Sequence, residues 1–118
     1  MYTISKEFHF SAAHALPHLP ADHQCARPHG HNYIVRIELQ ARDLDPNGFV
    51  VDYGDLSSLK KYIDQLLDHR DLNQVFTFPT TAENIAKHLF YWCNARWSQT
   101  VAVSVSETPK TWATFRGD

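Results

Sequence analysis

The stretch His31-Asn32-Tyr33-Ile34-Val35-Arg36-Ile37-Glu38-Leu39-Gln40-Ala41-Arg42 sets Tyr33, Val35, Ile37, Leu39 and Ala41 two residues apart. Successive side chains of a strand point to opposite faces, so this period marks a strand with one buried face. Residues 2–11 repeat the pattern, with Tyr2, Ile4, Phe8 and Phe10 on one side and Thr3, Ser5, Glu7 and His9 on the other. The two strands are expected to pair as a hairpin. The loop between them, residues 12–28, contains Pro17, Pro20 and Pro28 and is therefore read as irregular.

Downstream, Pro46-Asn47-Gly48 is a turn and Phe49-Val50-Val51 a short extended piece. From Asp55 as N-cap, Leu56, Leu59, Ile63, Leu66 and Leu67 recur at helical spacing up to His69. Thr80-Thr81-Ala82-Glu83 reads as a capping box opening a second helix through Ile85, Ala86, Leu89, Phe90, Cys93 and Trp97. Val101, Val103 and Val105 then alternate with Ala102, Ser104 and Ser106, and beyond a turn at Pro109 the segment Thr111 to Arg116 closes a second hairpin. The order ββααββ over residues 1–118 describes a single α+β domain, an antiparallel sheet with two helices on one face. Four strands leave open edges, which a barrel formed between subunits removes, so a homo-oligomer is expected.

Composition narrows the function. With 118 residues, 43% of them apolar, the chain suits one domain with a real core. Eleven Lys and Arg stand against 13 Asp and Glu, a formal net charge of −2, and no basic block offers the counterion release that nucleic-acid binding draws on. No apolar run approaches the roughly 18 residues of a membrane span, and Met1 to Glu7 lacks a basic segment leading into an apolar one. A cytoplasmic protein without nucleic-acid or membrane partners is expected. Two cysteines are too few for a disulfide framework, and Cys93 falls on the apolar stripe of the second helix. Histidine is the exception: His9, His14, His18, His23, His29 and His31 lie within residues 9–31, where even spacing would put about 1.6.

His29 and His31 flank Gly30 at the start of the second strand, so their imidazoles share a face and can converge on one ion. His14, just after the first strand, is brought near them by hairpin pairing, and three nitrogens with a fourth position open is the arrangement of a catalytic zinc site. His9, His18 and His23 read as solvated or as supports behind the ligands, and His88 as exposed on the outer face of the second helix. Cys25 lies four residues before His29, where a nearby cation would populate its thiolate. It suits a base, a nucleophile or a fourth zinc ligand closing a structural site. Asp68-His69-Arg70-Asp71 is either a charged helix end or part of a proton path, and Glu107 is either an exposed strand-end carboxylate or a partner for the amino and ring N–H groups of a heterocycle.

Taken together, Phe8-x-Phe10-x-Ala12-Ala13-His14, Cys25-x-x-x-His29-Gly30-His31, Leu67-Asp68-His69-x-Asp71-Leu72-Asn73, Pro79-Thr80-x-x-Glu83-Asn84 and Val105-x-Glu107-Thr108 resemble the 6-pyruvoyl-tetrahydropterin synthase family. Within it, the three-residue interval between Cys25 and His29 is similar to that of the bacterial 6-carboxy-5,6,7,8-tetrahydropterin synthases of queuosine biosynthesis. The resemblance implies the tunnelling fold, or T-fold, whose subunits join sheets into a barrel with active sites between neighbours, a hexamer (dimer of trimers) being favoured. It implies one Zn2+ per subunit on His14, His29 and His31, Cys25 as catalytic thiol with Asp68 and His69 as relay partners, and Glu107 as anchor of the pterin ring. Thr80, Thr81 and Glu83 match the segment that reaches the pterin from a neighbouring subunit. Arg27 and Lys6 are the nearest cations for a triphosphate. The expected reaction converts 7,8-dihydroneopterin triphosphate to 6-carboxy-5,6,7,8-tetrahydropterin with release of acetaldehyde and triphosphate. The alternatives are a pyruvoyl-type elimination that keeps the three-carbon side chain, and a non-enzymatic module whose structural zinc has one cysteine and three histidine ligands. Asp52-Tyr53 departs mildly from the family's usual Asp-Phe, and Phe115 stands where Tyr is common; neither touches the proposed chemistry.

Overall fold

A computed structural model describes residues 1–118. Strands β1 (Tyr2–His14) and β2 (His29–Ala41), 13 residues each, pair antiparallel in an unbroken register from Tyr2↔Ala41 to His14↔His29. After a single 3-10 turn at Tyr53–Leu56 come α1 (Ser57–Leu66), the one-turn α2 (Leu72–Val75) and α3 (Ala82–Arg96). Strands β3 (Thr100–Ser106) and β4 (Ala113–Phe115) complete a four-stranded sheet of order β1-β2-β3-β4, antiparallel throughout. No helix is long and apolar enough to cross a membrane.

One core of 22 residues joins the inner face of the sheet to the helices. Phe8, Phe10, Tyr33, Val35, Ile37, Val103 and Val105 meet Leu59 and Ile63 of α1 and Ile85 and Leu89 of α3. The alternation read from Tyr33 to Leu39 is the burial pattern observed, since those four odd positions are fully buried.

Several boundaries differ from the sequence expectation. Ala12, Ala13 and His14 belong to β1, while β2 opens at His29 as expected. Small residues carry no hydrophobic alternation, but the ladder continues through Ala12↔His31 and Ala13↔Gly30. Asp55 does not cap α1; Asp52 caps the preceding 3-10 turn by accepting the Gly54 N–H. The helix also stops at Leu66 and leaves Asp68 and His69 outside it. The cap of α3 is shifted by one: Thr81 accepts the Asn84 N–H, while the Asn84 side chain donates back to the Pro79 carbonyl. His88 is not simply exposed, because the Tyr62 hydroxyl lies 2.7 Å from its Nε2 and Phe76 packs against its ring.

β1 is an edge strand, and its outward backbone is closed at one end only. There the chain after α1 docks against it: the Ser11 N–H donates to Asp68 Oδ1, the His69 N–H to the Ser11 carbonyl and the Ala13 N–H to the Arg70 carbonyl. Asp68 to Asp71 are thereby tied to the end of the strand that carries His14.

Two core substitutions should separate packing from polar satisfaction. Ile37→Ala, at a fully buried position, should cost about 2–5 kcal/mol of stability in urea unfolding. Tyr33→Phe should leave stability unchanged or raise it, because the buried Tyr33 hydroxyl has no hydrogen-bond partner to lose.

Candidate active site

The inner-face stripes of β1 and β2 change character at one end. Running along β2, the positions that face the core are Leu39, Ile37, Val35 and Tyr33, then His31 and His29; along β1 they end in His14. Because His14 stands opposite His29 and His31 follows on the same face, the three rings meet edge to face, with centroids 4.5, 4.8 and 5.2 Å apart. Their candidate ligand nitrogens lie within 4.8 Å of one another.

Two backbone carbonyls decide which nitrogen of each ring is free. His14 Nδ1 is 2.8 Å from the Thr80 carbonyl and His29 Nδ1 is 2.7 Å from the Arg27 carbonyl. A carbonyl only accepts, so each Nδ1 must carry the proton and each Nε2 is left with its lone pair, the form that ligates a metal. His14 Nε2 is buried and has no hydrogen-bond partner. An orphaned buried nitrogen beside two more imidazoles is the donor set that a zinc ion satisfies, so the residues fit that metal. Burial also lowers the His31 pKa against the opposing pull of Glu107, which favours the neutral ring.

The Ile34↔Ser106 pairing brings the residue that follows β3, Glu107, level with Tyr33 and turns it to the same face. Its Oε2 lies 3.2 Å from His14 Nε2 and 3.5 Å from His31 Nε2. A second cleft leads away from the carboxylate between Glu83, Thr111 and Trp112.

Cys25 sits in the 3-10 turn Gln24–Ala26, where the His23 ring accepts its N–H and the Leu16 N–H donates to its carbonyl. It is half-buried and shares a cleft with His29, Gly30 and His31, but it is not part of the metal-competent group. On the other side of Gly30 and His31, a cavity of about 540 Å³ is lined by Ser11, Asn32, His69 and Asp71. His69 Nδ1 is 2.9 Å from Asp68 Oδ2, and the ring is largely exposed, held over the strand by a backbone with φ of 58°. Cys25 and His69 thus flank the imidazole cluster from two sides.

Comparison with known proteins accords with this arrangement. The family model for 6-pyruvoyl tetrahydropterin synthase matches residues 3–118. The chain belongs to that family. A 6-carboxy-5,6,7,8-tetrahydropterin synthase of Bacillus subtilis is 36% identical, covering 98% of this chain and 85% of the relative. One from Synechocystis is 37% identical over 76% of this chain and 73% of its own length. In three dimensions the Caenorhabditis elegans 6-pyruvoyl tetrahydropterin synthase superposes with a TM-score of 0.86 at 29% identity, covering 99% and 96% of the two chains. The fold is the T-fold of this family, and the chain is an enzyme of the lyase type.

For a member of the 6-pyruvoyl tetrahydropterin synthase family, the remaining named residues take instructive places. Thr80 is fully buried with its hydroxyl 3.2 Å from His14 Nδ1, so in its own protomer it braces the His14 ring. Thr81 caps α3, and exposed Glu83 shares the cleft of Glu107. Arg27 is exposed beside the cluster. Lys6 is eight residues from His14 along β1, roughly 27 Å at strand rise, too far to serve this site within one protomer. Asn73 carries no chemistry that marks it as a site residue, yet its side chain bonds both the N–H and the carbonyl of Ala15 and approaches the Thr80 hydroxyl. Its only sequence signal is its place in the Leu67 to Asn73 motif. His23, read as solvated or as a support behind the ligands, supports the turn of Cys25.

Two solution measurements follow. Burial raises the Cys93 thiol to about 12, so a thiol reagent should modify one cysteine rapidly in the native protein and the second only after unfolding, with Cys25→Ala removing the fast phase. The Ser11 N–H and then His69 hold Asp68 below its ordinary range. A depressed carboxyl stabilises the fold above its unfolded pKa, and that contribution disappears as pH falls through the folded value. Asp68→Asn should therefore unfold more easily at neutral pH, and its deficit against the parent should shrink and vanish in titrations carried well below the ordinary carboxylate range.

Proposed function

We propose that the chain is a cytoplasmic, zinc-dependent 6-carboxy-5,6,7,8-tetrahydropterin synthase of 7-deazaguanine and queuosine biosynthesis. The observation that carries the reading is the set of three imidazole nitrogens within 4.8 Å of one another, two of them with tautomers set for ligation, beside a carboxylate and a separate thiol. Its relatives' names and the Cys25-to-His29 interval favour the carboxy product. The substrate is 7,8-dihydroneopterin triphosphate, and the products are 6-carboxy-5,6,7,8-tetrahydropterin, acetaldehyde and triphosphate.

In this reading His14, His29 and His31 hold one Zn2+ per subunit, which supplies Lewis-acid polarisation of the substrate's side-chain hydroxyls. Glu107 accepts from the amino and ring N–H groups of the pterin and fixes its orientation. Cys25, as thiolate, removes a proton from the side chain, and the Asp68–His69 pair passes protons to and from solvent through the exposed ring. Thr81 and Glu83, with Thr80 behind them, border the pterin from a neighbouring subunit, and Arg27 faces the triphosphate. The assembly is a homo-oligomer, a dimer of trimers, in which the open edges of β1 and β4 join sheets into a barrel. The C. elegans neighbour's name keeps a pyruvoyl product as the second reading.

Incubating the purified protein with 7,8-dihydroneopterin triphosphate should yield the carboxy-pterin by mass analysis and acetaldehyde by enzymatic assay. A chelator should abolish both, and added zinc should restore them. Cys25→Ala should retain zinc and lose about 10²–10⁴-fold in turnover; release of zinc with unfolding would instead mark a structural site. A three-carbon side chain on the product would assign the pyruvoyl reaction, and no turnover by metal-replete protein would refute both.

A further inference from the structure

The position of Glu107 is odd for a residue whose task is to hold a pterin. We infer that in the substrate-free protein its carboxylate is a fourth ligand of the metal that His14, His29 and His31 hold, and that pterin binding draws it away.

One oxygen, Oε2, approaches two imidazole nitrogens at 3.2 and 3.5 Å. Donor atoms that share a tetrahedral zinc ion, at bond lengths of about 2.0–2.1 Å, stand about 3.3–3.4 Å apart, so these spacings bracket the edge of that tetrahedron. The contact with His14 is also not aligned as a hydrogen bond, since its Nε2 has no hydrogen-bond partner. With the Nδ1 proton committed to the Thr80 carbonyl, His14 Nε2 presents a lone pair. A lone pair and a carboxylate oxygen this close repel unless a cation lies between them. The two donors are therefore placed as co-ligands of one ion.

The same side chain has somewhere else to go. The backbone on either side of Glu107 is held: Ser106 by pairing to Ile34 and by its hydroxyl donating to the Thr108 carbonyl. Glu107 itself is 29% exposed and opens on the cleft of Glu83, Thr111 and Trp112. In a pterin the amino and ring N–H edge and the reactive side chain lie at opposite ends of the bicycle. A carboxylate that grips the first cannot also occupy the ion that faces the second. The two positions of Glu107 are mutually exclusive, and its departure opens a coordination position when the ring arrives.

The exchange with pterin rests on the function proposed above; the ligand role does not, and the test keeps them apart. Zinc-loaded Glu107→Gln should surrender its metal to a chromophoric chelator at least tenfold more readily than the parent, with Glu107→Asp, which keeps a carboxylate on a shorter stem, in between. If the Gln variant fails to fold, the Asp variant decides in the same assay. Cobalt(II) in place of zinc should give a visible spectrum that differs between parent and Glu107→Gln without any pterin present. Equal zinc retention and identical cobalt spectra would overturn the ligand role. Adding neopterin should shift the parent cobalt spectrum toward that of the Gln variant. A parent spectrum that neopterin leaves unchanged would overturn the exchange while the chelator result still carried the ligand role.

Discussion

The register of β1 against β2 is the constraint on which the site depends. Thirteen consecutive pairs, ending at His14↔His29, keep the two stripes in phase from the core to the imidazoles. Because side chains alternate, a slip of one residue would turn His14, with Phe8 and Phe10, to the face opposite His29, His31 and Tyr33 and disperse the cluster. The apolar pairs Phe8↔Val35 and Phe10↔Tyr33 hold that register by burial. Stability of the core and geometry of the histidine cluster are two readings of one ladder.

Around that ladder, loop backbone does what side chains alone do not. The Thr80 and Arg27 carbonyls select the tautomers of His14 and His29 from opposite sides. Thr80 is in turn braced by Asn73, whose other contacts fix the chain just past β1. The short helix α2 brings Asn73 there, and the docking of Asp68 to Asp71 on the strand edge brings α2. Such supports behind a ligand tune its orientation and basicity as much as the ligand's own identity does.

The sheet and the three-histidine cluster were legible because both follow from period two: Tyr33 to Leu39 for the buried face, His29 and His31 for convergence. His14 required only the hairpin. What escaped has a common cause. Ala12-Ala13 carries no alternation, so the end of β1 could be seen only through its partner strand. The caps at Asp52 and Thr81 differ from Asp55 and Thr80 by which hydroxyl or carboxylate tertiary packing leaves free, and Thr80 is taken by His14. His88 sits on a polar helix position by sequence, but Tyr62 and Phe76, distant in the chain, enclose it. The contacts of Asn73 span 58 residues, beyond any local pattern.

His69 adopts a φ of 58°, the only residue other than glycine with positive φ. A side chain in that region costs on the order of 1 kcal/mol, which glycine would not incur. Its ring makes no buried contact that would offset the cost; it reaches Asp68 and solvent. A sequence selected for thermal robustness alone would drift to glycine at this position. Under the proton-relay role proposed for His69, an imidazole there trades stability for activity, and stabilising substitutions would have to leave that one residue untouched.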